Sequence, residues 1–219
     1  MIKLDNVSLI YDVQKQQPTY ALSRINLEIK PNTFYGILGP SGSGKSSLLY
    51  IMSGLIKPTT GKVYYEKQNW QTLGEEKSAA IRLKEFGFIF QKHLLLPYMN
   101  LVENVLIPIN SKKKEDRDEA KALLISLGLE KEMEKKPTQL SGGQCQRVAI
   151  ARALINHPKI IFADEMTASL DYKAAERVLG LFEKIRKQTT VLFVTHDERM
   201  TQGADEIIRM WDGKLEDNE

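Results

Sequence analysis

Apolar and polar residues alternate along Ile2 to Val7 and again along Leu22 to Ile29, where Leu22, Ile25, Leu27 and Ile29 form the apolar set. A period of two with one polar face predicts strands of a half-exposed antiparallel sheet. Phe34 to Leu38, Phe86 to Phe90, Lys159 to Ala163 and Thr190 to Val194 are short apolar runs, the mark of buried strands. Helix signals cover Lys45 to about Gly54, Glu75 to Leu83, Leu101 to Ile107, Glu115 to Leu127, Gln144 to Ile155 and Tyr172 to Lys187. Lys62 to Glu66 adds a strand after the turn Lys57 to Gly61. Lys30-Pro31-Asn32 is a turn in which Asn32 can take a left-handed conformation, and Asp205 to Trp211, Asp212-Gly213 and Lys214 to Glu216 form a closing β-hairpin. The expected organisation is one domain over 1–219, with an α/β core from 1–91 and 155–219 and a helical lobe inserted at 92–154.

Composition narrows the partners. A length of 219 residues with 42% hydrophobic and 27% charged residues suits one large globular domain. The net charge of +3 is too small to argue for nucleic acid, and none is expected as a partner. Basic residues are interleaved with acidic ones, as in Lys112 to Glu119, which reads as a solvated helix start. The single cysteine, Cys145, excludes an internal disulfide and suits a reducing compartment. No apolar run reaches the ~20 residues that span a bilayer, and no signal peptide opens the chain, so a soluble cytoplasmic protein is expected.

The chemistry begins at Gly39-Pro40-Ser41-Gly42-Ser43-Gly44-Lys45-Ser46, between a strand and a helix opening at Lys45. Its glycines let the backbone curl until several N–H groups point inward, and the helix adds the positive end of its dipole. An anion of triphosphate size fits such a loop. Lys45 reaches the β- and γ-phosphates as a point charge, and Ser46 offers a hydroxyl to Mg²⁺. A glycine-rich turn that merely caps a helix has no need of the complete G-x-x-x-x-G-K-S pattern.

Other polar groups sit where a strand ends, the edge at which α/β sheets bind ligands. Gln91 closes one apolar strand and is either a plain terminator or a group reaching the metal or the attacking water. Asp164-Glu165 closes another, as suits Mg²⁺ chemistry, with Asp164 toward the ion and Glu165 polarising water. His196 closes a third, whereas His93 and His157 have no such placement. Ser141-Gly142-Gly143-Gln144 enters a second helix, so Ser141 either caps it or helps form a second anion site. That second edge either folds against the first or serves the nucleotide of another copy. Asp171 caps the helix from Tyr172. Tyr11, beside the polar run Asp12 to Thr19, either packs in the core, which position alone favours, or stacks on a base. Leu94 to Met99 is unusually apolar for a connection and is either buried or a groove for a partner's helix.

Taken in order, Gly39 to Ser46, Gln91, Leu140 to Gln144, Ile160 to Glu165, Asp171 and His196 resemble the nucleotide-binding subunits of ATP-binding cassette (ABC) transporters over nearly the whole chain. Within that family, Gly87-Phe88-Ile89-Phe90-Gln91, the Leu-Leu-Pro that follows, and Gln146 to Leu154 resemble the lipoprotein-releasing, macrolide-exporting and cell-division group. That group includes ATPases that power antimicrobial-peptide and bacteriocin systems.

The resemblance implies a P-loop NTPase (RecA-like) α/β core with an antiparallel β subdomain and an inserted α-helical subdomain. It implies an ATPase, converting ATP and water to ADP and phosphate, that closes head to tail around two MgATP as a homodimer or with a related ATPase. Gly39, Pro40, Ser41, Gly42, Ser43, Gly44, Lys45, Ser46 and Ser47 would hold the phosphates, with Ser46, Gln91 and Asp164 toward Mg²⁺. Glu165 would be the general base, His196 would touch the γ-phosphate and Tyr11 would stack on adenine. Ser141, Gly142, Gly143 and Gln144 would meet the opposite subunit's nucleotide, and Asp171 would communicate across the dimer. A separate transmembrane permease would dock near Leu94 to Met99 and hold the chain at the cytoplasmic face of the membrane.

Three positions depart from the pattern. Met166 stands where proline usually follows the glutamate, Ala168-Ser169 inverts the usual order, and Cys145 replaces a more usual polar residue. The rival readings are a soluble ABC protein acting on nucleic acid or another non-transport partner, and a simple P-loop GTPase or kinase. The first lacks a long heptad-patterned insert here and the second lacks Asn-Lys-x-Asp.

Overall fold

The alternating segment near the start of the chain becomes β1 (Ile2–Tyr11) and β2 (Thr19–Ile29), an antiparallel pair running from Ile2 opposite Ile29 to Tyr11 opposite Thr19. The computed structural model describes residues 1–11, 19–166 and 170–216, so most of the polar run after Tyr11, and Ala168-Ser169, lie outside it. Asp5 and Asn6 are consecutive exposed residues, which strict alternation would not allow. The register slips there, with Asn6 at φ 48°, and the bulge returns Val7 to the buried face.

β3 (Phe34–Leu38) is buried at all five positions. α1 (Lys45–Met52) follows it through the glycine loop. Gly54 ends that helix at φ 69°, donating from its N–H to Ile51 O while Leu55 N donates to Tyr50 O, a paired C-cap that needs a left-handed residue. β4 (Thr60–Tyr65) and β5 (Gln68–Asn69) complete an antiparallel sheet in the order β2-β1-β4-β5. α2 (Glu75–Glu85) leads out of this region.

β6 (Phe86–Ile89) and β7 (Ile160–Asp164) pair in parallel, from Phe86 opposite Ile160 to Ile89 opposite Ala163. Their intervening chain carries α3 (Leu101–Leu106), α4 (Lys114–Ser126) and α5 (Gly142–Leu154). α5 lies close on β6 because residue 87 is glycine: a Cβ there would stand 2.4 Å from Ala153 O. α6 (Tyr172–Ile185) follows β7. β8 (Thr190–Thr195) and β9 (Glu206–Trp211) then flank β3, each parallel to it, and β10 (Lys214–Leu215) turns back on β9.

The chain divides into two compact units, Met1–Arg82 with Thr190–Glu219, and Leu83–Thr189. Helices α3 to α5 therefore pack in one unit with β6, β7 and α6, whereas the sequence reading drew the boundaries of a helical lobe at 92 and 154. The first unit holds the glycine loop and His196. Gln91, Ser141, Asp164, Glu165 and Asp171 are in the second.

Candidate functional site

In the first unit the loop 39–44 curls as its glycines predict. Gly42 and Gly44 sit at φ 81° and 96°, both in the left-handed region that carries a steric cost for any residue with a Cβ. A Cβ on Gly42 would meet open space, whereas one on Gly44 would stand 2.2 Å from Ala21 O, and one on Gly39 2.3 Å from Met210 O. Two of the three glycines are thus required by close backbone approach and the other by conformation alone. Lys45 is only 7% exposed, and its Nζ donates to Pro40 O at 2.7 Å, which holds the ammonium within the loop. Ser46 and Ser47 are half-buried in the first turn of α1. Ser43 Oγ is buried and has no hydrogen-bond partner among the described residues.

Tyr11 ends β1 and is 45% exposed, which favours the surface reading of this residue over core packing. His196 stands one residue past β8 and is exposed. The turn behind it is fixed by Asp197 N, which donates to Thr195 Oγ1 at 3.0 Å.

In the second unit Asp164 is the last residue of β7 and is 4% exposed. A continuing strand would send the next side chain to the opposite face. Glu165 instead has φ 54°, a left-handed conformation costing about 1–3 kcal/mol for a residue with a Cβ. Its Oε2 accepts from Gln91 Nε2 at 2.9 Å. Gln91 is therefore no plain strand terminator: it lies two residues past β6, and its amide orients the carboxylate. Met166, at the departure from the usual proline, is buried.

The second glycine-rich entry is a capping box. Ser141 Oγ accepts from Gln144 N at 3.3 Å and Gln144 Oε1 accepts from Ser141 N at 2.9 Å, so α5 starts at Gly142, earlier than helix propensity suggested. Capping uses one lone pair of the Ser141 hydroxyl and leaves its O–H for an anion, so the two readings of this serine are compatible. Asp171 caps α6, accepting from Ala174 N at 2.9 Å. Cys145 is half-buried, with Sγ 3.6 Å from Pro137 O, and burial raises its thiol pKa.

Two side chains that sequence reasoning missed shape the apolar connection at 94–99. Asn104, fully buried in α3, accepts from Leu96 N at 2.8 Å and donates to the carbonyls of Leu96, Met99 and Asn100. Arg152 on α5 donates to His93 O at 2.8 Å and Leu94 O at 2.7 Å. Burial lowers the Arg152 pKa, and burial followed by the neighbouring Arg152 charge lowers that of His93. Held from inside, the loop shows Leu94 (59% exposed) and Tyr98 (67%) to solvent, which favours the surface reading of this segment over the buried one. Leu95, Leu96 and Met99 are half-buried beneath them.

A glycine loop with left-handed turns that feeds its lysine into a helix start, and a buried aspartate followed by a held glutamate at a strand end, define the phosphate-loop class of nucleotide-binding proteins. Comparison with known proteins narrows the class. The family model described as ABC transporter matches residues 22–168. An uncharacterized ABC transporter ATP-binding protein of Methanocaldococcus jannaschii is 43% identical, the alignment covering 98% of this chain and 97% of that one. The lipoprotein-releasing system ATP-binding protein LolD 1 of Chlorobium chlorochromatii is 41% identical, covering 98% and 90% respectively. The solved dimeric structure of a post-hydrolysis state of the ATP-binding cassette MJ0796, bound to ADP and Pi, matches with a TM-score of 0.94 at 41% identity, over 100% of this chain and 98% of that one. The chain belongs to the ABC transporter family and has the fold of its ATP-binding cassettes. It is an ATPase of that family, binding ATP and hydrolysing it to ADP and phosphate.

Proposed function

We propose that the chain is the ATP-hydrolysing subunit of a transporter, closing as a dimer around two MgATP to drive a separate transmembrane partner. The work done is export, extraction of lipoproteins or peptides from a membrane, or resistance to antimicrobial peptides or macrolides. The observation that carries this reading is the curled loop 39–44 with Lys45 held inside it, in a chain that also presents the Ser141-capped entry to α5. The dimeric form of the similar cassette and the lipoprotein-releasing relative support the dimer and the membrane partner. Among the described residues no helix is long and apolar enough to cross a membrane. The reading assigns the membrane-spanning part to a partner and this chain to the cytoplasmic face.

Each side chain has a stated task in this reading. Tyr11 stacks on adenine, while 39–47 wrap the phosphates with backbone N–H groups, the Lys45 ammonium and hydroxyls. Water attacks the γ-phosphorus and loses its proton to the Glu165 carboxylate, which the Gln91 amide keeps aimed, as the β–γ bond breaks to leave ADP. His196 donates to the γ-phosphate. Ser141, Gly142, Gly143 and Gln144 of one subunit cover the nucleotide of the other, and Asp171 links the two sites.

Among the described residues no cluster of three His, Cys, Asp or Glu side chains could hold a metal by itself. Mg²⁺ needs only one or two protein oxygens when a nucleotide supplies the rest, and the hydroxyl of Ser46, the carboxylate of Asp164 and the amide oxygen of Gln91 are donors of that kind. Held there with ATP, the ion would neutralise phosphate charge.

The test is association. Affinity-tagged chain, expressed with a candidate membrane protein from its own genome, should be retained on washed membranes and co-purify with that protein in detergent. Its ATPase should respond to reconstitution with the partner in vesicles. Complete recovery in the soluble fraction, with ATPase indifferent to the partner, would remove the transport reading and leave only the ATPase.

A further inference from the structure

The β9–β10 hairpin, which looks like a mere closure of the chain, grips the phosphate loop from behind. Asp212 and Gly213 have φ 46° and 72°, so the two-residue turn joining Trp211 to its partner Lys214 is of the I′ kind. Gly213 is buried, and both of its backbone groups are used: its N–H donates to Ser43 O at 3.1 Å and its carbonyl accepts from Ser23 N of β2 at 2.8 Å. The strand leading into the turn also touches the loop, since Gly39 lies against Met210 O, and β2 meets it again where Gly44 lies against Ala21 O.

In a trans peptide the carbonyl and the following N–H point in opposite directions. A Ser43 carbonyl fixed toward Gly213 on the outer side therefore turns the Gly44 N–H to the inner side, where phosphate binds. We propose that the Asp212-Gly213 turn is a positioning element for the ATPase, with the Gly213 N–H aiming the Gly44 N–H at the nucleotide. The inference rests on the reading of 39–46 as a triphosphate cradle. It also accounts for glycine at 213, because at that φ a Cβ would stand 3.1 Å from the carbonyl oxygens of both Tyr20 and Ala21 and lift the turn from β2.

Two variants test it. Gly213→Ala pushes the turn away from β2, and one glycine inserted between Asp212 and Gly213 displaces the donor without adding a Cβ. Asp212→Asn, which keeps a residue tolerant of left-handed φ and leaves the Gly213 N–H in place, is the conservative control. Dissociation constants are measured for a fluorescent ATP analogue and, by competition, for inorganic triphosphate, with thermal melts in the absence of nucleotide. Losing one hydrogen bond to a charged phosphate should weaken ATP and triphosphate alike by between about tenfold and a hundredfold. KM should rise by the same factor while kcat at saturating ATP stays within about twofold, and Asp212→Asn should match wild type.

Unchanged affinity in either folded variant overturns the inference. So does weaker ATP binding with triphosphate unaffected, which would put the loss at the base. If both variants unfold without nucleotide, the turn is a folding element and the inference falls. Wild-type protein that binds neither ATP nor triphosphate sinks the cradle reading itself, an outcome distinct from these.

Discussion

Glu165 is held in an unfavourable backbone conformation with its carboxylate bonded to an amide, an arrangement that makes sense only if the direction of that carboxylate matters. Glu165→Gln keeps the shape and an oxygen to accept from Gln91, yet removes the carboxylate proposed as the base. Turnover should fall by about 10²–10⁴-fold with nucleotide affinity unchanged, as measured by phosphate release and equilibrium binding. Equal losses in both would make Glu165 a binding residue. Tyr11 is a second single-residue test, because its exposure means that truncation leaves no cavity. Tyr11→Ala should weaken ATP by about 1–3 kcal/mol and Tyr11→Trp should not, by titration of the same fluorescent analogue. Wild-type affinity in Tyr11→Ala would end the stacking role.

His93 gives a pH test. Its folded pKa is lowered, first by burial and then by Arg152, so below the ordinary value of 6.5 the unfolded chain binds more protons than the folded one. That part of the stability is present above the unfolded pKa and is lost as pH falls through the folded value. Urea titrations at about pH 7.5 and about pH 5.5 should show a smaller acid loss in His93→Gln than in wild type.

At the scale of elements, the loop at 94–99 and Asn100 after it take four hydrogen bonds from one amide, that of Asn104. Asn104→Ala strips four hydrogen bonds from Leu96, Met99 and Asn100 and should cost about 1–3 kcal/mol in a denaturant titration. Retention by the membrane partner should weaken while ATP affinity holds, and full retention by a folded variant would place the docking surface elsewhere. Nothing in the sequence announced this asparagine, since a polar residue inside a short helix reads as solvent-facing until the fold brings a loop over it. The phosphate loop was legible for the opposite reason: glycine conformations, the lysine and the helix start are all local. So were the buried strands and the Asp212-Gly213 hairpin, although its service to a loop 170 positions away in the chain was not. Helix α5 was placed too late because Gly142-Gly143 has poor helix propensity, which the reciprocal Ser141–Gln144 cap overcomes. The φ of Glu165 and the bulge at Asn6 depend on tertiary packing and carry no local signal.

For the whole molecule the decisive question is whether the Ser141 edge serves another copy's nucleotide, and the capping geometry dictates how to ask it. Ser141→Ala would lose the cap as well as the hydroxyl, at about 1 kcal/mol, so a fall in activity could reflect a frayed α5. Ser141→Gly removes the same hydroxyl while glycine remains an acceptable N-cap, costing only a few tenths of a kcal/mol by rough estimate, and the Gln144 bond to the backbone N–H of residue 141 survives. It is combined with Glu165→Gln. If the segment Leu140 to Gln144 acts across a dimer, a mixed pair has one site with both defects and one site with neither. Random mixing makes about half the dimers mixed, so independent sites should recover roughly a quarter of wild-type turnover. If that segment serves its own chain's ATP, every site stays defective and mixing restores nothing. The proteins are mixed before ATP is added, because closed Glu165→Gln dimers would exchange slowly. Mixed dimers are verified with two different affinity tags, and ATPase no higher than the mean of the two parents in that verified mixture would sink the proposal of a shared site.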